Sequence, residues 1–464
     1  MKLSVYVVGS NPLPILIALC YDLKLVEGVP NDHARPSYIL FVCSEQTKKY
    51  ADNCVNWLAN KLGSGLPEHD YLILSHVHNA ADINQKVYKK LGEICLSSDG
   101  KFQTLLLNNT GGTKVMSVTT TMTMIKFANE RKMAITEIDV DPEKKQIIIH
   151  DPRTPEREDP WPDLDTKFKG LITLDDIVTL YGYEFKGMKK FEYTLGDRDK
   201  TLSFGQEIFS HLDAYKDFMK AFFGYSDIFK QNHEIRKLKA SFPSFSLLNG
   251  WVSLAAENEN NENNVRKFFT DKKPDRAGNV SYDVFICCEG AFREFLKDHE
   301  VITIDNCCNK CAITEEYLKF LTGIWFEEYI YAVIEEILEE ENKGHPQYEM
   351  INSFEIHPKG ESDVNFEIDI AFRNGITVTY ISCTTDETLT LVNKKFIEVL
   401  ANADSIGLRT QVVLITLSKA SNESVERRFS MFQATEYRKA KALGMVDVQK
   451  IATLKNKLKK LLGI

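Results

Sequence analysis

Residues 102–117 read FQTLLLNNTGGTKVMS: an apolar run, two asparagines, then two threonines bracketing two glycines, a lysine and a fresh apolar start. TLLL has the look of a buried strand, and the spacing of Met116 and Met124 opens a helix, so the glycines fall where a strand hands over to a helix. The same rhythm runs upstream. KLSVYVV, SYILFVC and DYLILSHV are strand-like, and the segments between the first four strands are about 25–30 residues long. They carry apolar residues at helical spacing, as in Ala51, Val55, Leu58 and Leu62. This alternation predicts an α/β fold with a mostly parallel, doubly wound sheet over residues 1–150, ending in a hairpin built from AITEID and QIIIH.

The chain has 464 residues, too many for one ordinary core. Hydrophobic content of 43% and charged content of 27% are those of a globular protein. No apolar run has the length of a membrane span, and MKLSVYVVGSNP enters a strand directly, without a signal-peptide pattern. A cytoplasmic protein with no membrane partner is expected. The ten cysteines are scattered singly or as adjacent pairs and read as reduced thiols. Cys308 and Cys311 form one CxxC, with His299 and Cys287–Cys288 upstream, but no second CxxC or HxxxH accompanies them to make a zinc site. A net charge of −9 argues against binding nucleic acid by bulk electrostatics, so an anionic ligand must be met locally.

A middle region, 151–310, opens with DPRTPEREDPWPD, read as a charged, proline-rich linker. It holds helical-looking stretches in LITLDDIVTLYG and 205–223, and a polar tract, ENENNENN (257–264), read as a loop. From 311 to 464 a smaller α/β domain is expected. It has one long helix, ITEEYLKFLTGIWFEEYIYAVIEEILEEE, then strands in YEMINSFEIH, NFEIDIAF and ITVTYISC, a polar helix, and the strand TQVVLIT.

Two turns of the first domain face the same way. Ser10 and Asn11 precede a helix opened by Pro12, and Thr110, Gly111, Gly112, Thr113 and Lys114 precede the helix through Met116. In an open parallel sheet, ligands bind beyond the carboxyl ends of the strands, where helix N-termini offer unpaired N–H groups and glycine lets backbone approach a phosphate. The plain alternative is a glycine turn with Thr113 as a helix cap. Neither GxxxxGK[ST] nor GxGxxG is present, which excludes the usual triphosphate and dinucleotide loops.

NNTGGTKVMS after a buried strand, VGSNPLP after the first, CSEQT (43–47) after the second and LITLDDIVTLYGYEF (171–185) together resemble the CARF domain, the CRISPR-associated Rossmann fold that senses cyclic oligoadenylates. The resemblance is to the type III CRISPR ancillary effectors in which that sensor is fused to a restriction-type nuclease. It implies that Ser10, Asn11, Pro12, Glu45 and Thr110–Lys114 line a groove across a homodimer interface. It also implies cyclic tetra-adenylate as activator, a ring whose symmetry suits two identical halves.

In the last domain, Asn374–Gly375 is a strong hairpin signal. Placing the turn there pairs Asp369 with Tyr380 and Glu367 with Ser382, and sets Glu367, Asp369, Ser382 and Thr384 on one face. Phe366, Ile368, Ile370 and Phe372 then form the buried face. Two carboxylates so placed can chelate Mg²⁺ or Mn²⁺, or can simply be solvated. On the preceding helix, Glu327 and Glu328 have equally apolar neighbours, and periodicity does not choose between them. GIWFEEY followed by EID and a further strand resembles the PD-(D/E)XK nuclease core. That resemblance selects Glu327 and Asp369 as metal ligands.

The sequence departs from that core at its third element, where Ser382-Cys383-Thr384 stands for ExK. Loss of such a cationic group typically costs ~10²–10³ in rate. Lys394 or Lys395 on the following helix is expected to substitute for it, or Glu367 for the missing acid. The leading expectation is a metal-dependent nuclease for DNA or RNA, switched on by cyclic tetra-adenylate. The alternatives are a non-catalytic effector with a degenerate nuclease domain, and a ring nuclease that cuts its own ligand with help from Ser10 or Thr113.

Overall fold

The structure is a computed structural model that describes the chain except residues 99, 142–143, 155–157, 187–190, 217–280, 285–290, 306–309, 315–316, 318–319, 343–347, 361–365, 386–387, 407–410, 420–423 and 425–439. The polar tract 257–264, and Cys287, Cys288 and Cys308 of the considered zinc site, lie outside the described residues.

The first sheet comprises β1 (Lys2–Val7), β2 (Tyr38–Ser44), β3 (Glu68–Leu74), β4 (Thr104–Asn108), β5 (Ala134–Asp141), β6 (Gln146–His150) and β7 (Asp159–Pro162). Their spatial order is β3-β2-β1-β4-β5-β6-β7. The first five strands run parallel, and β5–β6 is the expected antiparallel hairpin. Four helices cross over between the parallel strands: α1 (Leu13–Asp22), α2 (Lys48–Leu62), α3 (Ala80–Ser97) and α4 (Lys114–Arg131). Apolar residues of α1 and α2, such as Ile15 and Leu58, belong to one core, and those of α3 and α4, such as Val87 and Met124, to another. The helices therefore cover opposite faces, and the strand order reverses between β1 and β4. At the far end of α1 the buried Asp22 accepts hydrogen bonds from Ser4 (2.6 Å) and Tyr6 (2.9 Å) of β1, fixing the helix that follows the first turn.

The stretch read as a linker is partly strand. β7 lies at the sheet edge, the position at which a strand tolerates proline, and its Trp161 is buried, with Nε1 donating to the Gly28 carbonyl at 3.1 Å.

Next come α5 (Leu164–Lys167), α6 (Leu174–Leu180), β8 (Tyr183–Lys186) and α7 (Arg198–Ser210). α6 starts on a reciprocal cap between Thr173 and Asp176. α7 begins seven residues before the helical stretch read from 205. A small three-stranded sheet follows, from β9 (Ser281–Val284), β10 (Thr303–Asp305) and β11 (Lys310–Thr314), with α8 (Ala291–Asp298) between its first two strands. The long helix expected from Ile313 is shorter. Ile313 and Thr314 end β11, a wide turn spans Phe320–Ile324 with Gly323 outside helical geometry, and α9 runs from Trp325 to Asn342.

The second sheet has the order β16-β15-β14-β13-β12-β8, from β12 (Tyr348–Pro358), β13 (Phe366–Asn374), β14 (Thr377–Thr384), β15 (Gln411–Thr416) and β16 (Ala440–Leu443). Helices α10 (Leu389–Ile406), α11 (Met445–Val448) and α12 (Ile451–Leu462) complete it. This sheet takes its edge strand β8 from far upstream, where it pairs antiparallel with β12.

Two expectations about the β13–β14 hairpin are corrected. The loop is Gly375–Ile376 rather than Asn374–Gly375, since Asn374 pairs with Thr377 and Ile370 with Ile381. Tertiary contacts decide this. A Cβ on Gly375 (φ +59°) would lie 2.3 Å from the Asp165 Cα, and the Asn374 amide donates to the carbonyls of Leu462 (3.2 Å) and Gly463 (2.9 Å). A slip of two residues keeps each side chain on its expected face. Nor is only one face buried: Asp369 and Ser382 are 6% and 2% exposed, because α10 covers one side of the hairpin and α9 the other. A central strand of a mixed sheet is enclosed on both faces.

Candidate functional site

The two turns of the first domain meet at the reversal of strand order, the ligand-binding position of such sheets. They touch through backbone. A Cβ on Gly9 would lie 2.4 Å from the Gly112 nitrogen, and one on Gly111 would lie 2.3 Å from the Val7 carbonyl oxygen. Gly112 has φ +78°, which an L side chain rarely adopts. Gly9 and Gly111 are thus required by close approach and Gly112 by turn shape.

Side chains pin this pair of turns from below. Thr110 donates to Asp139 (3.1 Å) and accepts from Asn108 (2.8 Å). Thr113 caps α4 by accepting from the Met116 amide (3.2 Å) and donates to the Val77 carbonyl (3.1 Å). Ser117 donates to the Gly111 carbonyl at 2.7 Å. Pro12 is buried at the start of α1, and its carbonyl accepts from the Leu16 amide at 2.9 Å. What remains exposed is Ser10, Gly112 and Lys114, with Glu45 exposed in the turn after β2. The cap reading of Thr113 therefore holds, and the open surface of the turn is backbone, one hydroxymethyl and one ammonium group.

Sequence reasoning missed the partner of Asn11. The Tyr181 hydroxyl, at the end of α6, donates to the Asn11 side-chain amide oxygen Oδ1. Nothing in local pattern announces a contact between residues 170 positions apart, although Tyr181 stands inside the LITLDDIVTLYGYEF stretch.

The second cluster gathers at one end of β13 and β14. Asp369 Oδ2 accepts from the Ser382 hydroxyl (2.9 Å) and the Cys383 amide (2.7 Å), while Oδ1 takes neither bond. Burial pushes the Asp369 carboxyl above its usual range; Lys395 and the two hydrogen bonds oppose this without reversing it. Glu367, at the exposed rim, is also raised, by desolvation and then by the Asp369 charge. Desolvation works against the Lys395 ammonium, yet it ends above its ordinary range because Asp369, Glu398, Glu327 and Glu367 surround it. Lys394 is exposed. Of the two lysines, Lys395 is thus the one held among the carboxylates.

Structure also separates the two glutamates of α9. Glu328 is buried and accepts from the Thr194 amide (3.1 Å) and hydroxyl (2.6 Å), anchoring the segment before α7. Glu327, like Asp369, acts electrostatically on Cys383 and Lys395.

Among the described residues no three His, Cys, Asp or Glu side chains form a ready cage for an ion. Glu327 and Asp369 each act electrostatically on Lys395, and both carry hard oxygen donors. That set fits Mg²⁺ or Mn²⁺, which bind through one or two carboxylates and fill the other positions with water and phosphate oxygens. Among the described residues no helix is long and apolar enough to cross a membrane.

No family model matches the chain, and no curated protein is similar to it in sequence. Among solved structures it is similar along its whole length to protein VC1899 from Vibrio cholerae, with 12% identity, a TM-score of 0.62, and coverage of 100% of this chain and 99% of that one. It is also similar to Can2 from Sulfobacillus thermosulfidooxidans, solved in complex with cyclic tetra-adenylate, with 13% identity, a TM-score of 0.59 and the same coverage. The chain shares the fold of these two proteins from end to end, both sheets included.

Proposed function

We propose that the chain is a CARF-type effector: it binds cyclic tetra-adenylate on the two glycine turns of a homodimer and in response activates a metal-dependent nuclease centre built on Glu327, Asp369 and Lys395. The observation that carries this reading is the joining of two glycine turns, backbone on backbone, at the point where the first sheet reverses its strand order. Phosphates of the ring are met there by the amides at the α4 N-terminus and by Lys114. The whole-length likeness to a protein solved with cyclic tetra-adenylate supports the choice of ligand.

A stripe on α4 supports the homodimer. Lys114, Val118 and Met122 follow one another at helical spacing, and the two apolar residues are 63% and 65% exposed beside the ligand turn. At the second centre, Glu327 and Asp369 would hold the cation, which when bound polarises a phosphodiester and acidifies an attacking water. Ser382 and the Cys383 amide orient the Asp369 carboxylate. Lys395 offsets its charge and supplies the ammonium group that Thr384 does not. Its arrival from a helix, rather than from the strand, answers the missing ExK lysine.

The test is cleavage of labelled DNA and RNA by the protein with Mn²⁺, with and without saturating cyclic tetra-adenylate, beside Asp369→Ala. Activator-dependent cutting that Asp369→Ala abolishes is the expected result. Equal background rates for both proteins would favour the second reading, a sensor joined to a binding module, for which Ser382-Cys383-Thr384 in place of ExK is the support.

A further inference from the structure

Next to the second cluster lies a cavity of about 430 Å³ between the C-terminal end of α7 and the start of α11. It is lined by Phe209, His211, Asp213, Lys419, Met445 and Gln449, among others. Two chains of contact tie it to the proposed centre. On one side the Met445 amide donates to the Ser418 carbonyl (3.1 Å), and the Leu417 amide donates to the carbonyl of Thr384, the residue after Cys383 (3.3 Å). On the other, the Phe209 ring lies 6.0 Å from that of Trp325, two residues before Glu327. The cavity is thus linked through these contacts to the strand end that carries Cys383 and to the helix that carries Glu327.

Its chemistry is mixed in an informative way. Lys419 and Gln449 are exposed, Asp213 is an exposed carboxylate, and Met445 and the buried Phe209 supply apolar surface. A bare phosphate site would not carry a carboxylate. An amide and a carboxylate hydrogen-bond base edges, an apolar wall receives a base, and a lysine meets the adjoining phosphate. The volume is in the range of small-ligand sites.

We infer that this cavity takes one unstacked nucleotide of a single-stranded nucleic acid, with its base toward Asp213, Gln449 and Met445 and its phosphate on Lys419, so seating the strand across the centre at Asp369. The inference rests on the nuclease reading for its location and deepens it by naming a strand, rather than an intact duplex, as the substrate.

The experiment measures binding apart from cutting. A fluorescent single-stranded oligonucleotide, as DNA and as RNA, is titrated by anisotropy against the activated Asp369→Ala protein and against the same protein with Lys419→Ala, Lys419→Arg or Gln449→Ala. Both residues are exposed, so the substitutions leave the fold intact. Lys419→Ala is expected to weaken binding roughly tenfold and to lower the salt slope by about 0.7, with Lys419→Arg restoring both. Gln449→Ala is expected to flatten a preference among oligonucleotides that differ at one base. Unchanged affinity, within twofold, for Lys419→Ala overturns the inference, as does absence of binding to any oligonucleotide. Wild-type protein that binds but never cuts would remove the nuclease reading alone, and the Lys419 series would still decide the cavity.

Discussion

Asp369 is the residue at which stability and chemistry conflict. Its carboxyl is raised by burial, so the native protein holds that proton more tightly than the unfolded chain does. Stability is therefore lost as pH rises from the ordinary carboxylate range through the higher native value. Asp369→Asn keeps an acceptor for Ser382 and Cys383 but carries no charge. It is expected to stabilise the metal-free protein at neutral pH by on the order of 1 kcal/mol, read as a rise in melting temperature, while cleavage is lost. Lys395→Ala is expected to lower the activated cleavage rate by ~10²–10³, and Lys394→Ala to leave it within about twofold. Equal effects from the two would remove Lys395 from its assigned role. Both lysines were in view in the sequence, because each lies on the helix after the strand. Only the half-buried position of Lys395 among four carboxylates separates them.

At the scale of elements, the segment from α5 to β8 links the two sheets. Asp165 accepts from the Ile376 amide at the hairpin loop (3.1 Å), the Leu174 amide donates to Glu349 on β12 (2.9 Å), and the Asn53 amide group of α2 donates to the Leu180 carbonyl (3.0 Å). Within the segment, Tyr181 at the end of α6 is bonded to Asn11 in the turn after β1. A change in that turn therefore reaches the second sheet through side chains already in contact. Tyr181→Phe removes one hydrogen bond of about 0.5–1.5 kcal/mol. It is expected to raise the activator concentration needed for half-maximal cleavage by up to about tenfold, while full activity at saturation is retained. A wild-type activation curve for Tyr181→Phe would place the coupling elsewhere. This segment showed its helix in the sequence as the helical-looking stretch LITLDDIVTLYG. Its bridging position was not visible, because both of its partners are distant in sequence.

For the whole molecule, the proposed response depends on assembly. If the α4 stripe closes a two-fold interface, its exposed apolar area is covered only in the dimer. Replacing Val118 and Met122 together with aspartate places like charges across the axis and desolvates them. The double variant is expected to sediment as a monomer, to lose ligand-dependent thermal stabilisation, and to keep the melting temperature of the unliganded protein within a few degrees. A dimer that survives would move the interface to another face.

The parallel sheet and its glycine turns could be read from the chain by itself, because each rests on local chemistry: helical or alternating spacing, and a strand-to-helix turn that admits only glycine. Tertiary structure decided what depends on distant neighbours. Asp165 beneath Gly375 moved the hairpin loop by one residue, burial on both faces raised the Asp369 carboxyl, and Thr194 took Glu328 out of contention. β8 crossed from one region of the chain into the sheet of another. Such outcomes are set by packing and desolvation between segments hundreds of residues apart, and no window of sequence contains them.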